Sequence, residues 1–113
     1  MKWIIAGLPV EKLSGSYTAV FGATMSDDYG KMESKDLDTA QPQMVTGAQP
    51  AILPNRISWY FDLHGPSVHV DTACSSTMVA VDMACQFLRS GNATTVRLSF
   101  SFQIQYLSRK AHY

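Results

Sequence analysis

The sequence is poor in the features that would tie it to a membrane, a metal or an oxidising compartment. It contains no run of eighteen apolar residues, so no segment reads as a spanning helix. The opening Met1-Lys2-Trp3-Ile4-Ile5-Ala6-Gly7-Leu8-Pro9 has an apolar core too short for a signal peptide, and the chain is expected to be cytoplasmic. Two cysteines, Cys74 and Cys85, are too few for a disulfide scaffold, and His64, His69 and His112 show no ligand-like spacing with them. Nine basic and nine acidic residues balance to a formal charge of zero. No overall field therefore draws the chain to nucleic acid or to an anionic membrane.

What is present belongs to a packed α/β protein. The 113 residues are 46% hydrophobic and 16% charged, which suits one globular domain or part of one. Residues 1–6 read as the end of a helix stopped by Gly7 and Pro9. Residues 17–23, Tyr-Thr-Ala-Val-Phe-Gly-Ala, read as a buried strand. From Asp27 to Gln49 the composition turns polar without a sustained apolar period, which predicts a surface excursion with at most a helical turn. A helix is expected over residues 51–61, regular from about Pro54 and terminated by Gly65-Pro66.

Ser67-Val68-His69-Val70 alternates with a period of two and predicts a short strand. Residues 75–89 carry a narrow polar stripe of Ser75, Asp82, Gln86 and Arg89 on an otherwise apolar helix, which should be mostly buried and stopped by Gly91. Residues 96–104 alternate Val96, Leu98, Phe100, Phe102 and Ile104 against Arg97, Ser99, Ser101 and Gln103. That pattern predicts one strand half-exposed to water. The order of helices and strands points to a layered α/β core, with no internal repeat.

Cys74 stands where the strand at residues 67–70 gives way to the helix at residues 75–89. A helix N-terminus offers unpartnered N–H groups and the positive end of a dipole, which stabilise an anion. Such positions favour the thiolate, the nucleophilic form of cysteine, and the same N–H groups stabilise the oxyanion formed when a carbonyl is attacked. Ala73, Ser75 and Ser76 are small enough for a tight strand-to-helix turn. Cys85, eleven positions along, lies roughly 16 Å away on a helix rising about 1.5 Å per residue. Two bridged Cα atoms must lie within about 7 Å, so the thiols are independent and Cys85 reads as a core residue. Asn92-Ala93-Thr94 matches a glycosylation acceptor, a pattern short enough to arise by chance.

Asp71-Thr72-Ala73-Cys74-Ser75-Ser76 resembles the active-site signature of β-ketoacyl synthases in the form found in type I polyketide synthases. Asn55-Arg56-Ile57-Ser58-Trp59-Tyr60-Phe61-Asp62-Leu63 and Gly65-Pro66-Ser67 resemble the segment upstream of that cysteine, above all in the highly reducing fungal enzymes. Val79-Ala80, Ala84-Cys85-Gln86, Leu88-Arg89-Ser90-Gly91 and Ala6-Gly7-Leu8-Pro9-Val10-Glu11 extend the resemblance over residues 1–91. It implies an incomplete, layered α-β-α piece of a thiolase-like fold, the N-terminal part of a ketosynthase. It also implies that Cys74 is the catalytic nucleophile. That cysteine would take an acyl group from a carrier-protein thioester before decarboxylative condensation with a malonyl thioester. No cofactor is implied beyond the phosphopantetheine arm of an acyl carrier protein partner, and the intact enzyme is expected to be a homodimer.

The resemblance also implies two histidines, in a His-Gly-Thr motif and a later Gly-His motif. Neither motif occurs in the sequence, and His64 and His69 read as surface or strand residues. Residues 92–113 lack the Gly-Gly turn that the family places after this helix, so they are expected to be a divergent tail arising by truncation or from a misplaced exon boundary. A catalytically dead remnant that associates with an intact synthase is the alternative. A cysteine hydrolase is disfavoured, because none of the three histidines pairs with a cysteine and an orienting Asn or Asp.

Overall fold

A computed structural model describes residues 10–25, 28–33, 35, 38, 42–100 and 104–108. The helix expected at residues 1–6, together with His112, lies outside the described residues. After a 3-10 turn at Val10–Lys12 come strand β1 (Thr18–Ala23), helices α1 (Asp28–Glu33), α2 (Met44–Ala48) and α3 (Ile52–Tyr60), strand β2 (Ser67–Val70), helix α4 (Ser76–Ser90) and strands β3 (Thr95–Phe100) and β4 (Ile104–Ser108). The strands form one sheet in the order β2-β1-β3-β4. β1 runs parallel to both β2 and β3, and β4 runs antiparallel to β3.

β1 is an interior strand, as is β3, and all six residues of β1 are buried. Near-continuous burial is what a parallel strand covered on both sides requires. Ala19, Phe21 and Ala23 pack with Ala80 and Ala84 of α4 and with Val96 and Leu98 of β3. Val20 points the other way, into a smaller cluster with Leu13, Leu63, Ile57 and Phe61. One helix therefore covers each face: α4 on the side of Phe21, α3 on the side of Val20. On the α3 side, a Cβ on Gly22 would meet Pro54 Cδ at 3.2 Å and Leu53 Cδ2 at 3.3 Å. The first turn of α3 rests on that bare glycine.

Several expectations match these elements closely and several need correction. β2 occupies the expected residues 67–70, and α4 is capped by Gly91 in the left-handed region at φ 78°. In α3, Pro54 is the third residue, within the first turn, where its missing N–H costs nothing. The stop is not Gly65-Pro66, however. α3 ends at Tyr60, followed by Asp62 at φ 51°, and the Leu63 N–H donates to the Ser58 carbonyl at 2.8 Å. Aspartate tolerates the left-handed region better than most side chains, so a glycine is not needed. The polar segment at residues 27–49 holds two short helices, α1 and α2, joined to α3 where Arg56 Nη2 donates to the Thr46 carbonyl at 2.7 Å.

α4 is less buried than its composition predicts. Only Ser76, Ala80 and Ala84 are buried along it, while Met78 is 71% exposed and Val79, Val81, Met83, Cys85, Phe87 and Leu88 are half-buried. Small residues four apart let the helix approach the sheet closely, and Val79, Val81, Met83, Phe87 and Leu88 pack against the same core while staying partly exposed. The strand expected at residues 96–104 is two strands, β3 and β4, paired antiparallel with Val96 opposite Leu107. Its polar side is not solvent-facing either, since Arg97 and Ser99 are buried. Arg97 pairs with Val20 in the register and lies on the α3 side, its guanidinium carbon 4.6 Å from the centre of the Phe61 ring.

Candidate functional site

The turn that carries Cys74 sits at the carboxyl ends of β1 and β2, where parallel α/β sheets commonly place ligands. Cys74 is exposed and its sulfur is free; Cys85 is also free and half-buried. Among the described residues, no three His, Cys, Asp or Glu side chains gather as a metal site would require. No helix among them is long and apolar enough to cross a membrane.

The turn is tighter than the sequence discloses. α4 begins at Ser76 with Ser75 as its N-cap, one residue later than expected, so Cys74 precedes the cap. Two of the nearby N–H groups are already engaged: Ser75 donates to the Thr72 carbonyl at 3.3 Å and Ser76 to the Ala73 carbonyl at 3.1 Å. Ala73 occupies the left-handed region at φ 56°, an unfavourable conformation for a residue with a Cβ. This reversal lies directly before Cys74. The Ser75 hydroxyl is turned back on the strand, donating to the Thr72 carbonyl at 2.7 Å and to Thr72 Oγ1 at 3.0 Å, and makes no capping bond to the helix. The first turn of α4 is thus not closed off by its own N-cap side chain.

Hydroxyl and carboxylate groups hold this backbone in place. Asp71 Oδ1 accepts from the Ala73 N–H at 3.1 Å. Ser76, only 3% exposed, accepts from the Thr72 N–H at 2.7 Å through its hydroxyl oxygen. Its hydroxyl proton faces two carbonyls, Ala73 at 2.7 Å and Thr24 at 3.1 Å. Thr24 follows β1 and shares a 2.7 Å hydrogen bond between its hydroxyl and His69 Nε2. His69 is therefore a strand residue bonded to Thr24, and His64 is exposed beside Asp62 at 3.1 Å. The sequence places Cys74 and Ser76 in one short signature, but it carries no signal that the Ser76 hydroxyl meets the Thr24 carbonyl.

Two hollows flank the α3 side of the sheet. One of about 580 Å³ is lined by Arg56, Ile57, Trp59, Tyr60, Phe61 and Arg97. The other, about 370 Å³, is lined by residues of α2, α3 and the connection between them and by Thr24. Cys74 lines neither of them.

Residues 2–96 match the family described as Beta-ketoacyl synthase, N-terminal domain. The chain is 58% identical over 89 residues to Highly reducing polyketide synthase 2 of Gibberella zeae, covering 78% of this chain and 4% of that protein. It is 52% identical over 90 residues to Highly reducing polyketide synthase bet1 of Neocamarosporium betae, covering 80% of this chain and 3% of that protein. Among solved structures it resembles a ketosynthase from module 6 of the bacillaene synthase of Bacillus subtilis 168, with a TM-score of 0.66 and 29% identity over 81% of this chain and 14% of that one. An oxazolomycin ketosynthase domain from Streptomyces albus JA3453 gives a TM-score of 0.58 at 29% identity, covering 84% of this chain and 20% of that one.

Proposed function

Because the chain belongs to the β-ketoacyl synthase family through its N-terminal domain, we propose that Cys74 is an acyl-accepting nucleophile and that the chain is a piece of a ketosynthase of the highly reducing polyketide type. The observation that carries this reading is the placement of an exposed thiol on a strained turn at the start of α4, within the segment that matches the family. In the step proposed, the Cys74 thiolate attacks the carbonyl carbon of a carrier-bound acyl thioester and the carbonyl π electrons move to oxygen. Collapse of that oxyanion expels the carrier thiolate, which takes up a proton, and leaves an S-acyl Cys74. Backbone N–H groups at the start of α4 are suited to stabilise the oxyanion.

In the parent enzyme the acyl group would next be joined to a malonyl thioester with loss of carbon dioxide, in polyketide or fatty acid synthesis. By the same resemblance, the partners would be an acyl carrier protein with its phosphopantetheine arm and a second copy of the intact enzyme. The histidine motifs implied for that condensation are absent from these 113 residues. The reading for this chain alone therefore stops at the acyl-enzyme. Residues 1–91 would be part of the ketosynthase N-terminal subdomain, within a thiolase-like α-β-α layering, and residues 92–113 a divergent tail whose first five residues still fall inside the family match. Sequencing the transcript through this region tests the tail: a verified stop after Tyr113 in an unspliced frame would remove the exon-boundary explanation.

Acylation is tested by incubating the purified chain with an acyl thioester and measuring its intact mass. A one-acyl adduct is expected, and it should vanish in Cys74→Ala. Absence of any such adduct would leave the second reading, a remnant that acts by associating with an intact synthase. The chain spans 4% and 3% of the length of the two fungal relatives.

A further inference from the structure

We infer that Ser76 is a positioning residue for Cys74: its buried hydroxyl clasps the nucleophile turn and fixes it to the end of β1. The inference rests on the reading of Cys74 as an acyl acceptor and adds to it the group that sets its orientation. Three side chains bond to the turn, but they are not equivalent. The bonds made by Asp71 and Ser75 are exposed and span two and three residues, so they shape the turn without tying it to anything else. Ser76 is buried, and its hydroxyl bonds reach the Thr72 N–H before Cys74, the Ala73 carbonyl next to it, and the Thr24 carbonyl 52 positions away.

A hydroxyl is the smallest group able to accept one bond and donate another at that point. Because Ala73 is held at φ 56°, the turn relaxes toward commoner backbone angles when its clasp is lost. Cys74 would move with it. Acyl transfer needs the sulfur and the oxyanion-stabilising N–H groups in a fixed mutual geometry. Simple alkylation of an exposed thiol needs no oxyanion site. The two reactions therefore separate orientation from access.

The test uses the full 113-residue chain as wild type, Ser76→Ala and Ser76→Thr, with Ser90→Ala as a hydroxyl deletion at the far end of α4. Each is treated with an acyl N-acetylcysteamine thioester and, separately, with iodoacetamide, and modification of Cys74 and Cys85 is followed by peptide mass spectrometry. In Ser76→Ala, acylation of Cys74 is expected to fall about tenfold or more, while alkylation of Cys74 and Cys85 stays within about twofold of wild type, less than a typical hydrogen-bond effect. Ser76→Thr should recover acylation, and Ser90→Ala should retain it. Equal acylation in wild type and Ser76→Ala would overturn the positioning role while leaving Cys74 as nucleophile. Faster alkylation of Cys85 in Ser76→Ala, with no recovery in Ser76→Thr, would assign Ser76 to the fold and overturn the role as well. No acylation of the wild type would instead remove the nucleophile reading and the positioning role together.

Discussion

Gly65 lies so close to Thr18 that a Cβ there would fall 2.4 Å from both the carbonyl carbon and the carbonyl oxygen of that residue. The contact belongs to a lacing of backbone bonds between the approach to β2 and the start of β1. In it, His64 N–H donates to the Ser16 carbonyl at 2.9 Å and Val20 N–H to the Pro66 carbonyl at 2.8 Å. A side chain would have to push these two segments apart. Gly65→Ala is expected to destabilise the fold by about 3 kcal/mol or more, as overpacking against backbone does. Gly47→Ala in α2, where a Cβ meets nothing within 4 Å, should instead be stabilising by about 0.5–1 kcal/mol. Urea denaturation of both variants checks the contrast, and equal midpoints would contradict it.

Phe21 and Phe87 bind α4 to the sheet edge to face, with ring centroids 5.4 Å apart and planes at 76°. Phe21 is fully buried, so Phe21→Ala is expected to cost about 3–5 kcal/mol. A double-mutant cycle with Phe87→Ala should give a coupling of about 0.5–1.5 kcal/mol. Thermal melts of the four proteins measure it, and strict additivity would show that the ring pair is not coupled.

The two thiols should remain separate under oxidation. Cys74 lies before the first turn of α4 and Cys85 near its far end, too far along a rigid helix for the roughly 7 Å limit on bridged Cα atoms. After treatment with a mild oxidant at low protein concentration, thiol titration should still count two thiols per monomer. A single-chain disulfide on a peptide map would refute the placement of the helix.

Self-association is expected of the isolated chain. Trp59 and Tyr60 on α3 are 84% and 75% exposed, and Met78 on α4 is exposed on the other side of the sheet. Exposed apolar residues on both faces are a hallmark of surfaces meant to be covered. Sedimentation should show species larger than a monomer, reduced in the Trp59→Lys, Met78→Lys double variant. A monomer of the wild type with a sharp cooperative melt would contradict this expectation.

The sequence discloses local elements better than their surroundings. Val68 and Val70 against His69 were enough to place β2, and Gly91 was enough to end α4. The turn around Cys74 was legible as a strand running into a helix, although the bond from the Ser76 hydroxyl to the Thr24 carbonyl was not, because the two residues are 52 positions apart. Alternation in residues 96–99 correctly paired Val96 with Leu98 and Arg97 with Ser99, yet gave the strand a wet side where both pairs are buried. Period two reports which residues share a face. It does not report that Phe61, at the end of a distant helix, will cover the face that carries Arg97. The same limit applies to α4, whose apolar stripe implies a partner without stating that only Ser76, Ala80 and Ala84 become buried along it while its larger apolar residues stay partly exposed.

The register between β1 and β3 has a further consequence. Six residue pairs join the two strands, Thr18 with Thr95 through Ala23 with Phe100, yet the family match ends at Val96. Four of those six pairs therefore use residues beyond the match. A parallel ladder is written in N–H and C=O groups, which every residue but proline supplies alike. The slot beside β1 is thus permissive to unfamiliar sequence, asking only for a β-compatible run of the right parity and tolerating even an arginine beneath α3. A gene that changes its reading or its splicing just after this point would change the composition of the protein while leaving the strand that supports the Cys74 layer in place.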